Sequence, residues 1–307
     1  MRYSKLLILV AALLIMLELT VVALAENTID SLWKSGNDFL FHTDNVTVNG
    51  DAVFTLDGEL FKTAQLNYIQ DGYCSSYGLK LITPKKDGTD RESGWTIIAD
   101  KDDNIAIMDA YYPGTYRSGL STAHNTLLRR SVQLDALTEL GGTLARQIDS
   151  MLPADTITVT ESESAKNIHI KLSGDQIPEM AVNMLNVAAG FLSDRWFSNS
   201  HDRELGNDYL AFDSYITVTQ ALTDGTVKWT LQAADIEIAL DAQERLAAVS
   251  GTVNVDSTYW DGVVRSVELQ FHLTMTDYGT SHVKPFDPAD YNVVPQFEVY
   301  GEWNSGW

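Results

Sequence analysis

The sequence predicts an α+β chain dominated by antiparallel β-structure, a curved open sheet or incomplete barrel with helices covering one side. Three observations predict it. Long stretches alternate apolar and polar residues with period two, the signature of half-buried strands. Asp57-Gly58 and Asp71-Gly72 supply the turn chemistry that joins such strands into hairpins. From about Ser121 to Leu152, and again after Ser173 as far as Phe191, the apolar spacing becomes helical.

The first element is a targeting segment. Arg2 and Lys5 lie in a charged start, Leu6 to Leu17 is almost purely aliphatic, and Ala23-Leu24-Ala25 places small residues where a signal peptidase reads. Cleavage before Glu26 makes residues 1–25 a signal peptide and 26–307 a single secreted or extracytoplasmic domain of the cell envelope. The competing reading is an uncleaved anchor, because Leu6 to Ala25 approaches the roughly 20 residues that span a bilayer; that helix is then the sole membrane contact. Glu18 weighs against it, since a carboxylate near the bilayer centre costs about 2.5 kcal/mol or more. A lipid anchor on cysteine is excluded, because the only cysteine is Cys74.

The mature domain follows in order. Val46, Val48, Gly50, Ala52, Phe54 and Leu56 alternate with Thr47, Asn49 and Asp51, and strands over Glu59–Gln70 and Tyr73–Thr83 continue a meander through Trp95–Ala99 and Ile105–Tyr112. At Pro113-Gly114 the pattern changes. Leu127, Leu134, Leu137, Leu144, Ile148 and Met151 recur as one long amphipathic helix or two short ones across Gly141-Gly142. Thr156–Thr160 and Asn167–Leu172 form a hairpin, and a helix starts with the capping-box spacing of Ser173 and Gln176 and with Pro178 in its first turn. Strands return over Ser214–Leu222, Thr226–Leu240, Arg245–Asp256 and Val263–Thr276. In the last, Val267, Leu269, Phe271, Leu273 and Met275 share one face against Glu268, Gln270, His272 and Thr274. The apolar phase slips between Ala233 and Ala234, as a sheet-bending bulge requires.

Charge narrows the partners. The chain carries 21 Lys plus Arg against 42 Asp plus Glu, a formal charge of −21. Such a surface repels phosphate backbones and anionic headgroups, which argues against nucleic acid. One cysteine forms no internal disulfide, so packing must hold the fold. Cys74, in Tyr73-Cys74-Ser75-Ser76-Tyr77, has no His or basic neighbour to activate it and reads as a small strand residue.

The order of amphipathic start (Ile29, Leu32, Trp33, Phe39), meander, helix, hairpin, helix and second meander resembles the bacterial lipoprotein-carrier superfamily of the LolA and LolB type. Locally the likeness rests on Gly94-Trp95-Thr96-Ile97-Ile98 with Asn104-Ile105-Ala106-Ile107, and on Pro285-Phe286-Asp287-Pro288-Ala289-Asp290-Tyr291. The resemblance implies an incomplete antiparallel barrel with helices as a lid over an apolar cavity, and hence an apolar or lipid-like ligand. It carries over no residue of lipoprotein transfer.

Catalytic motifs fail in turn. Asp100-Lys101-Asp102-Asp103-Asn104 begins like a calcium loop, but Ile105 stands where Gly is needed and Tyr111 where a bidentate Glu is needed. Ser281-His282-Val283-Lys284 matches Ser-x-x-Lys spacing, yet Pro285 follows at once and the companion motifs are missing. His42, His124, His169, His201, His272 and His282 never pair at helical ligand spacing. No catalytic residue, cofactor or metal is therefore expected.

Trp229, Leu231, Leu269, Phe271 and Leu273 line either a ligand pocket between sheet and helices or an ordinary core, and filled interiors are the rule. Phe297, Tyr300, Trp303 and Trp307, in an aromatic tail from about 285 to 307, form either a docked edge strand or an exposed partner-binding segment. The expectation is an extracytoplasmic, non-enzymatic binding or sensing protein whose partner is an apolar ligand or an envelope protein. The alternatives are a protein-interaction or structural envelope module, and an acidic hydrolase acting through paired carboxylates.

Overall fold

A computed structural model describes residues 26–100, 104–109, 115–118, 139, 142–143, 147, 152–153, 156–162, 165–179, 182–183, 186, 208, 210, 228–258, 262–287, 289 and 292–293. Helix α1 (Glu26–Phe41) precedes six strands: β1 (Asn45–Leu56), β2 (Glu59–Asp71), β3 (Cys74–Thr83), β4 (Arg91–Ala99), β5 (Asn104–Asp109) and β6 (Thr115–Ser118). The hairpin β7 (Ile157–Glu161) and β8 (Ala165–Ser173) follows. A second meander then runs through β9 (Lys228–Asp241), β10 (Leu246–Thr258) and β11 (Val264–Thr276), with β12 (Asn292–Val293) last.

The twelve described strands share one sheet in the order β12-β6-β5-β4-β3-β2-β1-β11-β10-β9-β8-β7. Every pairing is antiparallel except β12 with β6. The sheet is open: its edge strands, β12 and β7, do not pair with each other. The two meanders join where β1 meets β11, Val48 opposite Met275 and Ala52 opposite Phe271. The predicted fold class is thus the observed one.

Alternation gives this sheet one apolar face, called here the inner face. Register aligns its residues in rows across the strands. One row runs Leu79, Leu66, Gly50, Leu273, Val249, Ile238, Ile168 and Val159. The next runs Leu81, Ala64, Ala52, Phe271, Gly251, Ile236, Ile170 and Ile157. A one-residue slip in any strand would turn its apolar set toward water, which pins the register. Two glycines permit close approach within these rows. A Cβ on Gly251 would lie 2.9 Å from Ile236 Cγ1, and one on Gly50 would occupy the place of the Leu273 side chain.

The slip read near Ala233 is a bulge at Gln232. Leu231 faces Val255 and Ala233 faces Asn254, so Gln232 has no partner in the ladder. A second bulge lets both Phe61 and Lys62 follow Leu60 against the pair Phe54 and Thr55.

Helix α1 seals part of the inner face with Leu32, Phe39 and Leu40, all buried. Ser35, also buried, donates its hydroxyl to the Glu244 carbonyl at 2.6 Å, tying the helix to the β9–β10 turn. In that turn the Asp241 carboxylate accepts from the backbone N–H of Gln243 and of Arg245, each at 2.9 Å, and from Arg245 Nε at 2.8 Å. Desolvation pushes this carboxyl upward, but the Arg245 and Gln243 hydrogen bonds outweigh it and hold it below the usual carboxylate range. A depressed folded value gives stability that is present above the unfolded range of about 3.9 and lost as pH falls through the folded value. Asp241→Asn is therefore expected to cost about 1 kcal/mol at neutral pH. In urea unfolding followed by circular dichroism, a gap from the parent that did not narrow below about pH 3.9 would contradict this.

The structure corrects several boundaries. β4 begins at Arg91 rather than Trp95; β5 is described over Asn104–Asp109, and residues 110–112 of the predicted strand lie outside the described residues. The short strands β6 and β12 are additions that the pattern at Pro113-Gly114 and the tail does not announce. Ser173 is the last residue of β8, and Gln176 Oε1 accepts from its N–H at 2.9 Å, so the pair closes a turn. Helical residues resume at Glu179, just after Pro178. Most of the helix read over 121–152, the strand read over Ser214–Leu222, residues 1–25 and the aromatics Phe297, Tyr300, Trp303 and Trp307 lie outside the described residues. Among the described residues, no helix is long and apolar enough to cross a membrane.

Candidate ligand-binding site

The inner face changes character across the sheet. On β8, β9 and β10 it is filled core: Ile168, Ile170, Ile236, Ile238, Leu240 and Val249 are each at most 1% exposed. On β1 to β4 the same face mixes buried side chains, Val48, Leu56 and Leu79 among them, with half-buried ones, Phe54, Ala64, Leu66, Leu81 and Ile97, with half-buried Leu273 beside them on β11. Alternation makes both halves apolar; the first is sealed and the second is sealed in part.

One rim of this half-buried region is closed. After β11 the chain turns through Asp277 and Gly279, both with positive φ (56° and 76°), and crosses the ends of β1 and β2. Asn45 holds it there. Its Oδ1 accepts from Ser281 N–H at 2.8 Å, its Nδ2 donates to the Ser281 carbonyl at 3.0 Å, and Gly279 N–H reaches the Asn45 carbonyl at 3.2 Å. The Ser281 hydroxyl lies 2.7 Å from both Asn45 Oδ1 and the Gln70 carbonyl. Val283 N–H donates to Asp71 Oδ2 at 3.2 Å, and Val283 is buried. Beneath the strap Gln70 is 1% exposed, its side chain held between the Tyr68 hydroxyl and the Gly72 carbonyl. Burial pushes the Tyr68 and Tyr77 phenols well above their ordinary range, so both are neutral donors. The opposite rim is formed by the β1–β2 turn and the β3–β4 connection.

The five residues singled out in the sequence all fall on the inner face but separate by burial. Leu231, Leu269 and Phe271 are each 7% exposed and belong to the core, whereas Trp229 and Leu273 are half-buried. Trp229 is fixed through its backbone, which exchanges two 2.7 Å hydrogen bonds with the side chain of Asn186. Phe54, Leu66, Leu81 and Ile97 are the floor residues that hydrophobicity alone did not distinguish.

The outer face is polar. Between β8, β9 and β10 it carries a shallow depression of about 440 Å³ lined by Lys171, Asp235, Glu237, Ser250, Thr252 and Asn254 among others. His169 Nε2 lies 2.7 Å from Asp235 Oδ1 on this face, and His272 stands there too, exposed. No group of three or more His, Cys, Asp or Glu among the described residues is placed to hold a metal. Ser281 belongs to the strap and not to a helix, with its hydroxyl committed to Asn45 and Gln70. Cys74 is half-buried at the start of β3. Residues 101–103 of the calcium-like loop, His124 and His201 lie outside the described residues.

No family model matches the chain, and no curated protein matches it. Among solved structures, a LolA superfamily protein from Nitrosomonas europaea aligns over 86% of this chain and 96% of its own, at 7% identity and a TM-score of 0.19, a weak likeness of fold.

Proposed function

We propose that this chain is an extracytoplasmic, non-enzymatic binding protein that holds an apolar, lipid-like ligand against the half-buried rows on β1 to β4. One observation carries the reading: a single continuous apolar face is packed solid on β8 to β10 and left half-covered around Phe54, Leu66, Leu81, Ile97 and Leu273. The targeting segment and the failed catalytic motifs agree with it. Energetically, about ten buried methylenes contribute roughly 8 kcal/mol. Association costs about 4 kcal/mol or more, so an acyl-sized ligand binds with a surplus and a much smaller one does not.

The test is a titration with the apolar fluorophore N-phenylnaphthylamine. Saturable binding is expected in the parent, with affinity reduced about tenfold in Leu66→Asn and Leu81→Asn, since each change puts an amide into the contact and forfeits over 1 kcal/mol. Unchanged thermal unfolding would show that both variants fold. Absence of saturable binding by the parent, or equal affinity in all three proteins, contradicts the proposal.

A further inference from the structure

The edge strand β12 delivers the chain close to the half-covered face. It pairs in parallel with β6, Asn292 opposite Thr115 and Val293 opposite Tyr116. Register carries that row inward: Thr115 faces Ile107, Ile107 faces Ile97, Ile97 faces Tyr77, and Tyr77 faces Tyr68. Asn292 therefore shares a cross-strand row with three residues of the inner face. Ile97 on β4 is three strand spacings away, about 14 Å, Leu81 on β3 is four spacings away, about 19 Å, and Leu66 on β2 is five, about 24 Å. Residues 294–307 follow, 14 in number. They span about 21 Å as a helix and about 46 Å extended, so the compact form reaches β3 and the extended form passes β2.

The sequence of that stretch suits an apolar surface and not a longer ladder. Pro295 has no N–H to donate, so pairing beyond Val294 is interrupted there. Phe297, Tyr300, Trp303 and Trp307 come next, each with about 150–250 Å² of side chain to bury. The two faces of β2 to β4 offer them different surfaces. Outward stand Thr63, Gln65 and the Lys80–Glu92 ion pair at 2.9 Å, and inward stand half-buried Ala64, Leu66, Leu81 and Ile97. The described anchors of the helical segments meet the other half of the sheet. Ser35 of α1 is tied to the β9–β10 turn, a Cβ on Gly142 would lie 3.0 Å from Trp33 Nε1 of the same helix, and the Asn186 side chain holds the Trp229 backbone on β9.

We infer that residues 294–307 fold back from β12 over the half-covered face and pack their aromatic side chains on Ile97, Leu81 and Leu66. The occupant of that face is then the chain's own aromatic stretch. The inference rests on the half-covered face and adds to the ligand proposed for it an intramolecular competitor, which a ligand displaces to bind. A short tether holds such a segment at an effective concentration of about 1 mM, so an intrinsic affinity of only about 100 μM keeps the face covered roughly nine-tenths of the time.

The experiment replaces Tyr300 with the photo-crosslinking residue p-benzoylphenylalanine in the full-length protein and maps the crosslinks by mass spectrometry. Crosslinks within one molecule to residues 59–99 are expected. Crosslinks confined to residues 157–173 or 228–258, crosslinks only between two copies, or none at all would overturn the inference. A second measurement reads the competition. Deleting residues 294–307 is expected to tighten N-phenylnaphthylamine binding about tenfold, because a face that is free one-tenth of the time has its apparent affinity lowered by that factor. The separate peptide 294–307, at about 1 mM, is expected to restore the parent's value. Fluorophore binding that the deletion leaves unchanged would overturn the inference and leave the apolar-ligand reading standing. Crosslinks to residues 59–99 in a protein that binds no fluorophore with or without residues 294–307 would uphold the covered face and sink the ligand reading.

Discussion

Ile238→Ala is expected to lower the unfolding free energy by about 3–4 kcal/mol, because Ile238 is 1% exposed and sits between Ile168 and Val249 in the middle of the sealed half of the sheet. The loss combines the transfer of the removed carbons with a cavity that its neighbours do not fill, since Ile168 and Val249 are fixed by their own ladders. Against a total of about 5–15 kcal/mol this is a large fraction, and for a chain of this size it lowers the melting temperature by about 10 °C. Thr252→Ala, on the outer face of the adjacent strand, provides the contrast, with an expected change within about 0.5 kcal/mol. Urea unfolding followed by tryptophan fluorescence measures both. Equal effects at the two positions would mean that the inner face of β8 to β10 is not the core.

Asn45→Ala is expected to cost about 1–3 kcal/mol through a different mechanism. Ser281 is 3% exposed; Asn45 supplies one acceptor for its N–H, which also donates to the Asp277 carbonyl at 2.9 Å, and the donor for its carbonyl. Truncation leaves the buried Ser281 carbonyl without its donor, at about 1–3 kcal/mol if it stays buried, while the N–H keeps the Asp277 carbonyl. The strap escapes part of that penalty by lifting away. Ser281→Ala removes only the hydroxyl and keeps the backbone bonds, so it should lose about 1 kcal/mol. Limited proteolysis of residues 278–284 by the broad-specificity proteinase K reports on the strap itself, and faster cleavage in Asn45→Ala than in Ser281→Ala is the expected order. Cleavage as slow as in the parent would mean that the strap is held by something other than Asn45.

Strands of ten or more residues were legible because their alternation is long enough to repeat. β1 and β11 each show five apolar residues in phase and β9 four, from Ala234 to Leu240, and the slip at Gln232 appears in the sequence because it breaks that phase. β6 and β12, four and two residues long, hold their places by backbone pairing, which leaves no side-chain pattern to read. The strap was equally hidden, since Asn45 and Ser281 are 236 positions apart and neither polar residue marks a local motif.

The site was partly legible for a related reason. Hydrophobicity picked Leu231, Leu269 and Phe271, yet these are core, and only Trp229 and Leu273 share the half-buried character of Phe54 and Leu66. The difference depends on which strands neighbour each other and on what covers them. It emerges only after β1 is paired with β11.

Native mass spectrometry of the protein, before and after mild organic extraction, tests whether the half-covered apolar face holds a lipid-like molecule. An additional mass in the lipid range that extraction removes is expected. An unmodified mass in both samples, together with no uptake of palmitate added back, would contradict it and move the reading to a protein-interaction module.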